Sequence, residues 1–242
     1  MWAMRYAVGT RHKRAQAIKQ QLRYLVARHH AAHYLPDDVI RPPKAKPRNV
    51  TATDAERLLI LGAAPPRLLC WLLMCSDLAI RSGTAATLGP KHYDAGAATL
   101  TFATKYQAIV TLPVTRALAA LLDQCLDTTL PFVAQLAGAV GNQSITRSSP
   151  PLMRPISPVV LTATYRRLLK RLGITRKLTP HDLRRTTARR VYSATRDLRL
   201  VQALLGHSDL QSTLWYLQDA LTEVPASALE LAKLNPITER TQ

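Results

Sequence analysis

Acidic residues are scarce in this chain: 15 Asp and Glu stand against 33 Lys and Arg, a formal net charge of +18 over 242 residues. Three cysteines, Cys70, Cys75 and Cys125, leave one unpaired and match no zinc-binding spacing, so a disulfide framework and a zinc site are both excluded. The first residues carry no apolar signal core, and the chain reads as reduced and cytosolic. No run of 18 or more uninterrupted apolar residues occurs, so no helical membrane span is expected. Internal repeats are also missing.

The positive excess that remains is concentrated. Residues 1–50 carry +9 and residues 161–200 carry +10, while all other positions together come to −1. Charge kept for solubility is spread with both signs interspersed. Two basic segments instead point to two basic surfaces and an extended polyanion as partner.

Apolar residues Ile18, Leu22, Leu25, Val26 and His29 recur at helical spacing and predict a helix over 12–34. Arg11, Lys13, Arg14, Lys19 and Arg23 surround that stripe as candidate phosphate contacts. Residues 36–50 hold four prolines with Lys44 and Lys46, the composition of a stiff, cationic linker. A larger domain, 49–220, follows. Thr53 and Glu56 form a capping box that opens a helix. Pro65 and Pro66 open a second, apolar on most sides and predicted to run from 67 to about 79. Residues 97–112 read as two short strands around a turn at Lys105, and 115–126 as a helix. Residues 139–156 show no pattern and read as a loop. Ser157 and Pro158 start a helix ending at Gly173. Residues 221–242 form an amphipathic, net acidic tail.

Residues 178–216 carry most of the chemistry. Thr179 and Pro180 cap a helix that places His181 and Arg184 on one face, three residues apart. Asp197 caps a second helix, and Gly206 stands where a left-handed C-terminal cap is wanted. Ser208 and Gln211 read as a capping box for a third helix, with Tyr216 two turns inside it. A base, a guanidinium, a second imidazole and a phenol in one short segment suit chemistry on a phosphate. Individually each residue has a plainer reading: Tyr216 beside Trp215 as a core aromatic pair, Arg184 and Arg185 as surface cations, Lys105 as a solvated turn residue.

Arg81 after an apolar helix, Lys105 at a hairpin turn, His181-x-x-Arg184, Leu205-Gly206-His207 and Tyr216 nine residues beyond that histidine resemble, in order and spacing, the tyrosine recombinase (phage integrase) family. The resemblance covers roughly residues 50–220. It implies a mainly α fold with a small antiparallel β-sheet. It implies site-specific cutting and rejoining of double-stranded DNA through a 3′-phosphotyrosyl intermediate, by a homo-tetramer on two DNA sites. A type IB topoisomerase-like activity and a non-catalytic DNA-binding remnant of a mobile element are the alternatives. The chain departs from the family pattern where Thr84 replaces an acidic residue. It departs again at the N-terminus, where residues 1–48 supply only a partial core-binding helix and linker.

On this reading Tyr216 is the nucleophile, and Arg81 and Arg184 offer permanently charged planar forks to the phosphate oxygens. Lys105 is the general acid for the leaving 5′ oxygen, His181 the base and His207 a donor to the phosphate. Arg185 joins the candidate DNA contacts. No metal or other cofactor is called for, since two arginines can do the charge work of a magnesium ion. The expected location is the cytoplasm, associated with the nucleoid.

Overall fold

The computed structural model describes residues 8–28, 50–104, 108–139 and 150–217. The chain divides into two compact units, Met1–Arg48 and Asn49–Gln242. Within the first, helix α1 spans Val8–Ala27, starting four residues earlier than its apolar spacing predicts. Lys13, Arg14 and Arg23 are exposed on it, Lys19 is half-buried, and Leu22, Leu25 and Val26 are partly covered. Arg11 lies on the same helix. Lys44, Lys46 and the tail 221–242 fall outside the described residues.

The second unit is mostly helical with one small antiparallel sheet. Its centre is α3 (Pro66–Ser76), where Leu68, Cys70, Trp71, Leu72, Met74 and Cys75 are all buried. An 11-residue helix that is apolar on most sides has no face to give to water, so it must be surrounded. It packs against α5 (Arg116–Leu122), α6 (Phe132–Gln135), α7 (Pro158–Arg171) and α8 (Pro180–Thr195). Trp71 satisfies its indole N–H on the Ser82 carbonyl at 2.9 Å, at the start of α4 (Ser82–Ala85). The cysteines are buried thiols, and desolvation raises Cys75 to about 12 and Cys125 to about 11.

The predicted hairpin is present and is joined by a third strand. β1 (Tyr93–Asp94), β2 (Thr99–Ala103) and β3 (Ile109–Pro113) pair antiparallel in that order, with Leu100 opposite Leu112 and Ala103 opposite Ile109. Leu100, Phe102 and Leu112 face the core, while the Thr101 and Thr111 hydroxyls meet on the outer face at 2.9 Å. Residues 105–107, including Lys105, lie outside the described residues.

Local caps fix several helix starts as the sequence implies. Thr53 and Glu56 form their reciprocal box at α2 (Asp54–Ala63), and Arg176 holds the Glu56 carboxyl down to about 2. Asp182 reaches back to both the N–H and the hydroxyl of Thr179, each at 2.7 Å, anchoring the first turn of α8. Asp197 accepts from Arg199 and Leu200 at the start of α9 (Leu198–Leu205).

Two predicted boundaries are corrected. α3 ends at Ser76 rather than Ala79, because Ala79 adopts a left-handed φ of 50° and Ile80 N–H returns to the Met74 carbonyl. The cap of α10 (Leu210–Leu217) is Asp209, not Ser208: its carboxylate accepts from Ser212 N–H at 2.7 Å and Ser212 hydroxyl at 2.8 Å. A carboxylate one residue before the helix reaches the amide of its third residue, in the first turn, better than a hydroxyl two residues before it.

A separate small core of Ala79, Ala188, Val201, Leu205 and Leu217 joins α8, α9 and α10, with Tyr216 packed on its edge. This cluster brings the turn after α3 and the three C-terminal helices to one place.

Candidate active site

Tyr216 stands at the centre of that place. Its hydroxyl lies 2.5 Å from Nε2 of His181 on the first turn of α8. Its ring is met edge-on by two imidazoles, His181 at 5.1 Å and His207 at 5.2 Å between centroids. Two guanidinium carbons lie over it, Arg185 at 5.1 Å and Arg184 at 6.0 Å from the ring centre. Tyr216 is therefore not half of an aromatic core pair with Trp215, which is itself half exposed. The phenol is surrounded by guanidinium and imidazole groups.

The α8 side chains come from one helical face, as the three-residue spacing requires. Arg184 is only 2% exposed. It donates to the carbonyls of Ala79 and Leu205, the latter at 2.6 Å. Those carbonyls lie two residues ahead of Arg81 and of His207. One buried guanidinium thus ties together the backbone leading to both, and the neighbouring Tyr216 oxygen offsets part of the fall that burial imposes on its pKa. Arg185 corrects the sequence reading: it is 7% exposed and packed against the Tyr216 ring, not an open surface cation.

Arg81 occupies the N-cap position of α4, half-buried, on the rim of a recess. Thr84, Phe102, Thr104, Val110, Arg184 and Gly206 line that recess. Thr84 gives its carbonyl to the Thr87 hydroxyl, so its backbone serves the turn and its side chain brings no charge to Arg81. Gly206 has φ 54°, and a Cβ there would come within 2.8 Å of the Thr104 methyl. Glycine is needed twice, for the left-handed cap and for the close approach of the hairpin.

Sequence reasoning missed Gln202. Its carbonyl accepts the His207 N–H and its side-chain amide donates to the His207 carbonyl, both at 3.1 Å. A glutamine five residues before the histidine, reaching around a left-handed turn, is the signal that was available. His207 Nδ1 also lies 3.1 Å from the Thr213 hydroxyl.

Both imidazoles are kept neutral. Desolvation first, then the charges of Arg184 and other nearby arginines, lowers His181 and His207 to about 4. The ordinary value is about 6.5. Between those values the unfolded chain binds more protons than the native one, so stability contributed by these groups is complete above about 6.5 and lost as pH falls toward 4. Neither imidazole should protonate near pH 6.5, and both should remain neutral at pH 5.5. An ordinary histidine would be roughly nine-tenths protonated there. A histidine NMR titration measures this, and protonation of either ring centred near 6.5 would contradict the burial.

The match of the phage integrase family over residues 48–223 decides the classification. The chain belongs to the phage integrase family. This integrase-family chain is 32% identical over 193 residues to the tyrosine recombinase XerC of Methylobacterium sp. (strain 4-46), covering 77% of the chain and 52% of that protein. It is 42% identical over 77 residues to XerC of Bradyrhizobium diazoefficiens, covering 31% of the chain and 24% of that protein. The chain spans about a quarter to half the length of these curated relatives. Among solved structures, a lambda integrase dimer bound to a COC′ core site aligns with a TM-score of 0.63 at 19% identity, over 87% of this chain and 74% of that one. The Tn1549 transposon integrase with a circular intermediate DNA aligns at 0.62 and 11% identity, over 94% and 84%. At these identities the likeness establishes the integrase fold alone.

Proposed function

We propose that this integrase-family chain is a site-specific DNA recombinase that cuts and rejoins DNA through a 3′-phosphotyrosine. The observation that carries the reading is the Tyr216 hydroxyl held 2.5 Å from His181 Nε2, inside a ring of His207, Arg184 and Arg185. Tyr216 Oη attacks the scissile phosphorus and gives its proton to His181, while the bond to the 5′ oxygen breaks. Arg81, the donors of Arg184 not used on Ala79 and Leu205, and His207 N–H stabilise the non-bridging oxygens. Lys105 protonates the departing 5′ oxygen. Rejoining reverses each transfer, with a 5′ hydroxyl as nucleophile.

The basic residues Arg11, Lys13, Arg14, Lys19 and Arg23 on α1, with Lys44 and Lys46, add sequence-independent phosphate contacts, whereas Arg185 is buried against the Tyr216 ring. The protein acts as a homo-tetramer on two DNA sites in the cytoplasm, on the nucleoid. The DNA carried by the solved lambda and Tn1549 integrases supports a duplex DNA partner. Among the described residues no helix is long and apolar enough to cross a membrane.

The test uses nicked duplexes of randomised sequence, whose nick lets a short 5′ fragment escape and traps the covalent intermediate. Incubation in excess EDTA should give SDS-resistant protein–DNA adducts, with the linkage mapped to Tyr216 by peptide sequencing. The two arginines do the charge work, so chelation should leave the yield unchanged. Adducts that vanish in EDTA and return with magnesium would overturn the charge assignment. Attachment through any residue other than Tyr216 would overturn the mechanism.

A further inference from the structure

Thr213 is fully buried on α10, and the sequence marks it only as part of the segment leading to Tyr216. Several threonines inside the described helices spend their hydroxyl proton on the carbonyl four residues back. Thr162 does so on Pro158, Thr164 on Val160, Thr186 on Asp182 and Thr195 on Val191, while the Thr187 hydroxyl goes to the Ser76 carbonyl. Thr213 does neither. Among the described residues its hydroxyl meets only Nδ1 of His207, at 3.1 Å.

Two arrangements fit that distance. In one, Nδ1–H donates to the threonine oxygen, which leaves the hydroxyl proton buried with no acceptor. In the other, the hydroxyl donates to the Nδ1 lone pair and every group is satisfied. Buried polar hydrogens are almost always paired, which selects the second. Asp209, two residues after His207, spends its carboxylate on the Ser212 amide and hydroxyl. The His207 backbone is held independently by Gln202, so the hydroxyl of Thr213 governs the ring.

We infer that Thr213 is a positioning residue that fixes His207 as the Nε2–H tautomer, so that the ring presents a hydrogen-bond donor, and not a lone pair, toward the phosphate. This rests on the phosphotyrosyl reading for its purpose but not for its test. A neutral imidazole has one proton, and a donor role at Nε2 requires that Nδ1 have none. The low proton affinity of His207 is consistent, since an imidazolium would donate from both nitrogens and need no such partner.

The experiment is nitrogen NMR of the full chain labelled with ¹⁵N-histidine at pH 7 without DNA, the His207 resonances identified by their loss in His207→Gln. The expected result is an unprotonated Nδ1 and a protonated Nε2. Thr213→Ser should preserve this pattern and the cleavage rate. Thr213→Val, of nearly the same shape, should give a tautomer mixture and cleave roughly 10- to 100-fold more slowly at unchanged DNA affinity, the usual scale for losing the partner that orients a functional histidine. Thr213→Ala serves in place of Thr213→Val if the latter does not fold. A proton on Nδ1 in the parent, or an unshifted tautomer in Thr213→Val, would overturn the inference. The NMR result stands even for a chain that cuts no DNA, so failure here and failure of the proposed activity are distinguishable.

Discussion

Tyr216→Phe is expected to bind DNA as the parent does and to form no covalent adduct. The substitution removes one oxygen, the one lying 2.5 Å from His181 Nε2. The ring keeps its packing on the edge of the cluster formed by Ala79, Ala188, Val201, Leu205 and Leu217. It also keeps its edge contacts with both imidazoles and its place beneath Arg184 and Arg185, since these depend on the ring and not the hydroxyl. Fold and phosphate affinity should therefore survive while the bond-forming atom is gone. Among the described residues no other side chain has both the position and the base partner to replace it, so the loss should be complete within detection and not a fractional slowing. The measurement pairs a DNA-binding titration with a denaturing gel for adducts. An adduct band in the variant would remove Tyr216 from the role of nucleophile.

Arg184→Ala is expected to damage the fold as well as the chemistry. A surface arginine bound for phosphate contact could be truncated at little structural cost. This one is 2% exposed and donates to the Ala79 and Leu205 carbonyls. Truncation leaves two buried acceptors without donors and opens a void beneath Tyr216. Each orphaned buried acceptor costs about 1–3 kcal/mol, partly offset because a desolvated charge is removed as well, so a net loss of about 2–4 kcal/mol is expected. Cleavage should fall by at least roughly 100-fold, the scale of one lost oxyanion donor. Arg184→Lys keeps the charge but has one nitrogen where two carbonyls await, so it should recover part of the activity and little of the stability. Urea unfolding of the three proteins separates the two effects. A truncated variant as stable as the parent would mean that Arg184 serves the phosphate alone.

The helix starts at Thr53, Thr179 and Asp197 and the left-handed turn at Gly206 were legible in the sequence, because each is decided within three or four residues. Helical spacing alone put His181 and Arg184 on one face, while the order Arg81, His181, Arg184, His207, Tyr216 was legible through the resemblance to the tyrosine recombinase family. Lys105, by contrast, is placed only by its order in the chain.

The sequence could not show where α3 stops. That boundary is held by Arg57 on Asp77 at 2.5 Å and by the Thr187 hydroxyl on the Ser76 carbonyl, the second contact spanning 111 residues. The fates of the two neighbouring arginines were equally hidden. Of this adjacent pair, Arg184 is expected at the phosphate and Arg185 among the DNA contacts, and neither expectation implies burial. Packing of α8 against α9, α10 and the turn at Ala79 buried both, and gave only the first a pair of carbonyls from distant turns. The proton position on His207 was decided the same way, by a threonine on the next helix whose hydroxyl has no other partner among the described residues. Local hydrogen bonds and periodicity wrote the elements and their order into the sequence. Which polar groups face one another, and which way their protons point, became fixed only when burial withdrew water as an alternative partner.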